Sequence, residues 1–187
     1  MRPNVPILLA SATGDGAALT ASTTPTSILH GSGKAGIQGG TFDIGTTIKA
    51  LLRGRMSTVT TPGTLTFDCR LGPTANIVIS ALGAMNLNAT PTTNQNFELE
   101  LEATIRVLGV GTGANAIVTG RFCGRSLIGS AAVATGGVGV ITLPDTAPAV
   151  GTGFDSTVNN LFDVFATWGT NNANSILVHQ SWIWLLN

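Results

Sequence analysis

Three glutamates at alternate positions, Glu98, Glu100 and Glu102, form the densest cluster of chemically useful side chains in this sequence. Along an extended strand, alternate Cα atoms lie ~7 Å apart on one face. That separation suits a carboxylate pair for acid–base work, or the oxygen donors of a calcium site. The plainer alternative is a solvated face paired across strands with Arg53, Arg55 or Arg70. The two histidines, His30 and His179, stand far apart in sequence, and there is no His-Glu-x-x-His and no Cys-x-x-Cys, so no zinc spacing is present. Gly109 to Ala114 approximates a dinucleotide-binding glycine pattern. The residues after it, Asn115 to Cys123, read as a strand where that motif needs a helix, so the stretch is a glycine turn. Ser32-Gly33-Lys34-Ala35 lacks the first Gly and the closing Ser or Thr of a phosphate loop. The expectation is a chain without catalytic residues, metal or cofactor.

The elements that carry these residues are strands. From Phe97 to Val107, the apolar residues Phe97, Leu99, Leu101, Ala103, Ile105 and Val107 alternate with Glu98, Glu100, Glu102, Thr104 and Arg106. A strict period of two marks a half-buried strand with one dry and one wet face, as in an antiparallel sandwich. Ile48 to Thr58, Leu65 to Cys69, Ile77 to Ala81, Asn115 to Cys123, Val140 to Leu143, Leu161 to Trp168 and Ser175 to Leu186 read the same way, and Thr41 to Ile44 as a short strand. Thr60-Thr61-Pro62-Gly63 has the Pro-then-Gly order of a type II turn. Asp155 to Asn160 could make one capped helical turn. Ser130 to Gly139 is loop-like. Gly169 to Asn174 supplies turn residues for a hairpin joining the last two strands. With about eight or nine strands and uneven connections, the fold class is all-β, an antiparallel Greek-key β-sandwich of jelly-roll type.

In the last strand, strict alternation puts Trp182 and Trp184 on the face of Ile176 and Val178, with His179 opposite. Ile183 and Leu185 make the second face apolar too. Such a strand is either central to a core or part of a subunit interface, where Trp is enriched.

Composition narrows the class of function. Apolar residues make up 43% of the chain and charged residues only 10%, which excludes a disordered chain of high charge. Nine basic and nine acidic residues cancel. Nucleic acid is therefore an unfavourable partner, because phosphate binding rests on clustered Lys and Arg. No apolar run approaches the ~18 residues of a membrane span, and Pro6 interrupts the short run at Val5 to Leu9, so neither a membrane partner nor a secretory leader is expected. Cys69 and Cys123 are read as thiols rather than a bridge.

Two parts are expected: an extended arm over residues 1–40 and a sandwich over 41–187. The arm is rich in Ser, Thr, Ala and Gly, a composition that buries little surface against its ordering entropy. Its apolar residues Pro6, Ile7, Leu8, Leu9, Ile28 and Leu29, together with Trp182, Trp184 and Leu186, are the candidate interface. On this reading, removal of residues 1–30 leaves a folded domain that has lost its partner.

Arg53 to Leu65, Leu143 to Pro148, Thr152 to Thr157, Phe165 to Trp168 and Ser175 to Gln180 resemble a group of small, mostly uncharacterised virion proteins of tailed bacteriophages. The resemblance spans most of residues 40 to 187 and brings no catalytic residues with it. It implies a β-sandwich virion component on the particle surface, made in the host cytoplasm. The function expected from it is a non-enzymatic capsid decoration (cement) protein, a homotrimer bound across major capsid protein subunits, with no small-molecule substrate. The alternative is a tail or fibre β-sandwich that recognises host surface saccharide.

Overall fold

Alternation of apolar and polar residues becomes two antiparallel sheets in the computed structural model, which describes residues 5–125, 138–144 and 147–187. The strands are β1 (Ile7–Ala12), β2 (Leu19–Thr20), β3 (Thr26–Ser27), β4 (Ala35–Ile37), β5 (Thr47–Thr58), β6 (Thr64–Leu71), β7 (Ile77–Asn86), β8 (Thr92–Val107), β9 (Asn115–Arg125), β10 (Val138–Leu143), β11 (Asn160–Trp168) and β12 (Ser175–Leu186). One sheet runs β1-β12-β5-β8-β9-β10 and takes β2 as a third partner of β12. The other runs β3-β11-β6-β7 with β4 also on β11. The antiparallel sandwich expected from the sequence is therefore present. The pairs β12/β5 and β11/β6 wrap from one sheet to the other as in a jelly roll, while β8, β9 and β10 stay together as a meander.

The dry faces meet in one core. Leu52, Leu99, Leu101, Val118 and Phe122 from the larger sheet pack against Leu65, Phe67, Val164 and Trp168 from the smaller. Phe122 bridges the sheets, its ring 5.6 Å from Phe97 and 5.9 Å from Phe67. In β8 the expected alternation holds from Phe97 to Ile105. A bulge between Ile105 and Val107 then turns Val107 outward, leaving it 44% exposed.

Several local expectations are corrected. Thr41 to Ile44 is not a strand, although Phe42 is buried. Asp155 to Asn160 makes a non-helical turn, held by Asp155 Oδ1 accepting from the Thr157 N–H at 2.8 Å. Gly169 to Asn174 does not close a hairpin, because β11 and β12 belong to different sheets. The segment instead crosses the sandwich end, where buried Asn174 donates to the Pro62 carbonyl at 2.8 Å and accepts from the Val59 N–H at 3.1 Å. The loop expected at Ser130 to Gly139 lies outside the described residues up to residue 137; Val138 and Gly139 open β10.

The largest correction concerns the arm. Residues 5–40 are a strap laid onto their own sandwich, with β1 and β2 on β12, and β3 and β4 on β11. Ile28 is 0% exposed and Leu29 3%, so neither is available to a partner. The physical reason is that a polar segment needs only a few apolar anchors when its backbone can pair with open strand edges. Leu19, Ile28, Leu29, Ala35 and Ile37 are those anchors. The buried Trp168 indole donates to the Leu19 carbonyl at 3.3 Å, and Lys34 Nζ reaches the buried Asp163 carboxylate at 2.7 Å.

β12 is interrupted by a bulge. Val178 pairs with Gly54 and Gln180 with Arg53, so His179 is an extra residue. A Cβ on Gly54 would overlap the Leu177 carbonyl oxygen and crowd the Phe97 ring, so only glycine fits opposite the bulge.

Two outcomes test this account. Deleting residues 1–30 removes Leu19, Ile28 and Leu29, each contributing about 1.5–3 kcal/mol to a total that is typically about 5–15 kcal/mol. The truncated chain is expected to lose its cooperative urea transition rather than persist as a folded domain. Gly54→Ala is expected to cost about 1–3 kcal/mol by overpacking against backbone, read as a lower urea midpoint with an unchanged slope.

Candidate functional site

The bulge at His179 decides which side chains of β12 face outward. Ile176 and Val178 point into the core ahead of it, and Ser181, Ile183 and Leu185 after it. Trp182, Trp184 and Leu186 therefore lie half-buried on the outer face of the larger sheet. This corrects the expected register. The tryptophans are not on the face of Ile176 and Val178, and His179 lies on their side of the sheet.

Strand pairing then sets out that face in rows, with neighbouring strands about 4.8 Å apart. One row runs Leu8, Trp184, Lys49, Glu102, Thr119; the next runs Ser11, Trp182, Leu51, Glu100, Arg121. Beyond them come Gln180, Arg53, Glu98, Cys123, and then Leu177, Arg55, Asn96. Two half-buried indoles thus sit beside Leu51 at one side of a charged ladder. The Arg53 guanidinium lies 5.7 Å from the centre of the Trp182 ring, within reach of a cation–π contact.

The three glutamates are a paired face. Arg53 Nε donates to Glu98 at 2.8 Å, Arg121 Nη2 to Glu100 at 3.0 Å, and Lys49 Nζ to Glu102 at 3.2 Å while also pairing with Glu100. The hydrogen bond from Lys49 holds the Glu100 carboxyl below its ordinary range; burial opposes it, and the charges of Lys49 and Arg121 add to the lowering. The same Glu100 bond is the main cause that raises Lys49. Of the expected partners, Arg53 takes part. Arg70 belongs to the other sheet, where it pairs with Asp68 at 3.3 Å and lies 3.9 Å from the Phe165 ring centre. Among the described residues no group of three His, Cys, Asp or Glu side chains could hold a metal ion.

Next to Trp182 the face dips into a shallow depression of about 460 Å³. Arg53, Arg55, Asn96, Glu98, His179 and Gln180 supply its polar wall, and the backbone at Gly54 and Gly124 helps to line it. His179 Nδ1 is 2.6 Å from Asp15 Oδ1, which ties the strap to the bulge. His30 stands elsewhere, in the strap, with Nδ1 2.8 Å from Ser32 Oγ. Cys69 is fully buried and its thiol is pushed up by burial, while Cys123 is half-buried beside Glu98 on the neighbouring strand; both are free.

The candidate interface residues thus fall into three groups. Trp182, Trp184 and Leu186 share the outer face. Pro6 is exposed, Ile7 is 51% and Leu8 52% exposed on the open edge of β1, and Leu9 packs partly on the core. Ile28 and Leu29 are interior. Arg55, expected as a partner of the glutamates, stands opposite Asn96 and pairs with none of them, while Lys49, Leu51, Asn96 and Gln180 are absent from the sequence reading of the site. The alternation Lys49, Leu51, Arg53, Arg55 was visible, but nothing in the sequence told which strand lies beside it.

No family model matches the chain, and no curated protein matches it. Among solved structures the chain is similar to the CBM2 module of the evolved Dit of Lactobacillus casei BL23 phage J-1. The TM-score is 0.31 at 12% identity, covering 87% of this chain and 75% of that one. A likeness of that size transfers nothing, and the site is read from its own residues.

The ion pairs make one pH statement. A carboxylate whose folded pKa is depressed adds stability above its unfolded pKa, and that stability is lost as pH falls through the folded value. Lys49→Met is expected to raise the Glu100 titration midpoint in carboxyl NMR. It should also flatten the fall in stability below about pH 4.3, by less than about 1 kcal/mol because the pair is half-exposed.

Proposed function

We propose that this protein is a non-enzymatic β-sandwich of a tailed-phage virion, in the tail or fibre, that binds host surface saccharide through the outer face of its larger sheet. The observation that carries this reading is the seating of Trp182 and Trp184 on that face, beside a depression walled by Arg53, Arg55, Asn96 and Gln180. A pyranose offers C–H groups to an apolar, flat ring and hydroxyls to planar polar side chains. A shallow site with a few aromatic anchors and convergent polar groups answers both needs. Two of the three tryptophans stand there, and the third, Trp168, is in the core. The ion pair with Glu98 holds Arg53 in a fixed place, which lowers the entropy that this side chain loses on binding. The virion assignment draws on the sequence resemblance of residues 40 to 187.

The cement reading loses the feature it leaned on, because the strap is spent on its own core. One observation still favours assembly: Val5, Ile7 and Leu8 are exposed along the edge of β1, and an open apolar edge invites another strand. Copy number separates the readings, with a handful per virion for a tail and hundreds for a capsid coat.

Trp184→Ala is expected to leave the unfolding free energy from urea denaturation within about 1 kcal/mol of wild type, since the side chain is on the outer face. It should abolish retention of the protein on host cell-wall polysaccharide in a pull-down. Full retention by Trp182→Ala and Trp184→Ala alike would remove the saccharide reading.

A further inference from the structure

The depression beside Trp182 is not electrically neutral, and this bears on what kind of saccharide it takes. Each glutamate of β8 has a basic partner across the strands, but the basic residues of β5 extend one row further than the glutamates do. Arg55 pairs across with Leu177 on one side and Asn96 on the other, so no carboxylate stands opposite it. Among the described residues it makes no ion pair. Among the described residues lining the depression, two guanidiniums, Arg53 and Arg55, face a single carboxylate, Glu98, and the His179 imidazole is engaged by Asp15.

We propose that the ligand is an acidic saccharide, and that Arg55 seats its carboxylate or phosphate in this depression while the sugar ring lies toward Trp182. The inference rests on the saccharide reading of the face and adds the charge of the ligand. Three points support it. A guanidinium is planar and binds a carboxylate or phosphate with two parallel hydrogen bonds. Arg55 has that fork free, whereas Arg53 spends its Nε on Glu98. Asn96 and Gln180, on the same wall, supply amide donors for the remaining oxygens and hydroxyls. The location also makes chemical sense, because around Glu100 and Glu102 the basic groups Lys49 and Arg121 are already engaged by carboxylates.

The test uses the full chain on an array holding oligogalacturonate, phosphomannan and neutral dextran, with calorimetry on the best binder. The expected result is preference for the acidic probes. The carboxylate and phosphate arms then tell which group the site takes. Arg55→Gln should weaken binding by about tenfold, the loss of one charge-assisted pair. Glu98→Gln should tighten it roughly threefold by freeing Arg53, and rising salt should weaken it. A merely structural role for Glu98 would not improve binding. Preference for dextran with Arg55→Gln unaffected would overturn the charge assignment and leave the saccharide face standing. Failure of the wild-type chain to bind any glycan would overturn both.

Discussion

A single extra residue governs which side chains the second half of β12 presents on the outer sheet face. β12 must lie between β1 and β5, keep Ile176 and Val178 in the core, and still finish with Ile183 and Leu185 buried. Strict alternation cannot satisfy both halves, since the two pairs fall on opposite parities. The bulge at His179 resolves the conflict by moving the second half one residue out of phase. The cost falls on β5, where the opposing residue must have no side chain, and Gly54 meets that demand. Without the bulge Trp182 and Trp184 would have to enter a core already filled by Trp168, Phe67 and Phe122. The outward indoles thus result from a packing limit.

The strap shows how little apolar content a segment needs once edges are on offer. Most of residues 5–40 are small and polar, yet Ile28 N–H donates to the Val164 carbonyl at 3.1 Å and Gly16 N–H to the Val178 carbonyl at 2.8 Å. Backbone pairing covers the open sides of β11 and β12, and a few buried side chains lock it there. The same segment that closes these edges carries Asp15 to His179. Support of the bulge and closure of the sheets are one piece of chain.

Legibility in the sequence followed the regularity of each strand. β8 could be read because no bulge interrupts it between Phe97 and Ile105, so period two in the sequence equals period two in space. β12 was misread at its second half because a bulge leaves no mark in an apolar–polar pattern that is apolar on both faces. The turn before β12 was recognisable as a turn, from its Asn and Gly residues. Turn chemistry does not say whether the next strand stays in the same sheet, and here it leaves. The strap was misjudged because mean composition hides where single residues such as Leu19 and Ile28 fall. Of the candidate site, the tryptophans were visible and their neighbours were not, since neighbours are set by strand order, which a lone sequence does not contain.

Net charge is the last case of an average concealing an arrangement. Nine basic and nine acidic residues sum to zero, which makes nucleic acid an unfavourable partner but says nothing of where single charges stand. Over the rows from Lys49 to Arg55 the outer-face charges are sorted by strand, basic on β5, acidic on β8 and Arg121 on β9, with the exposed Arg106 of β8 beyond the ladder at its other end. Alternating strands of opposite sign hold a sheet together through direct cross-strand pairs, and such a ladder would be silent toward ligands if its ends were flush. They are not, because β8 has Asn96 where the next glutamate would stand. Among the described residues, the offset of one row leaves Arg55 with no carboxylate opposite it at the point where the surface dips. Charge at a single position, rather than the total, is what a ligand arriving at this face would meet.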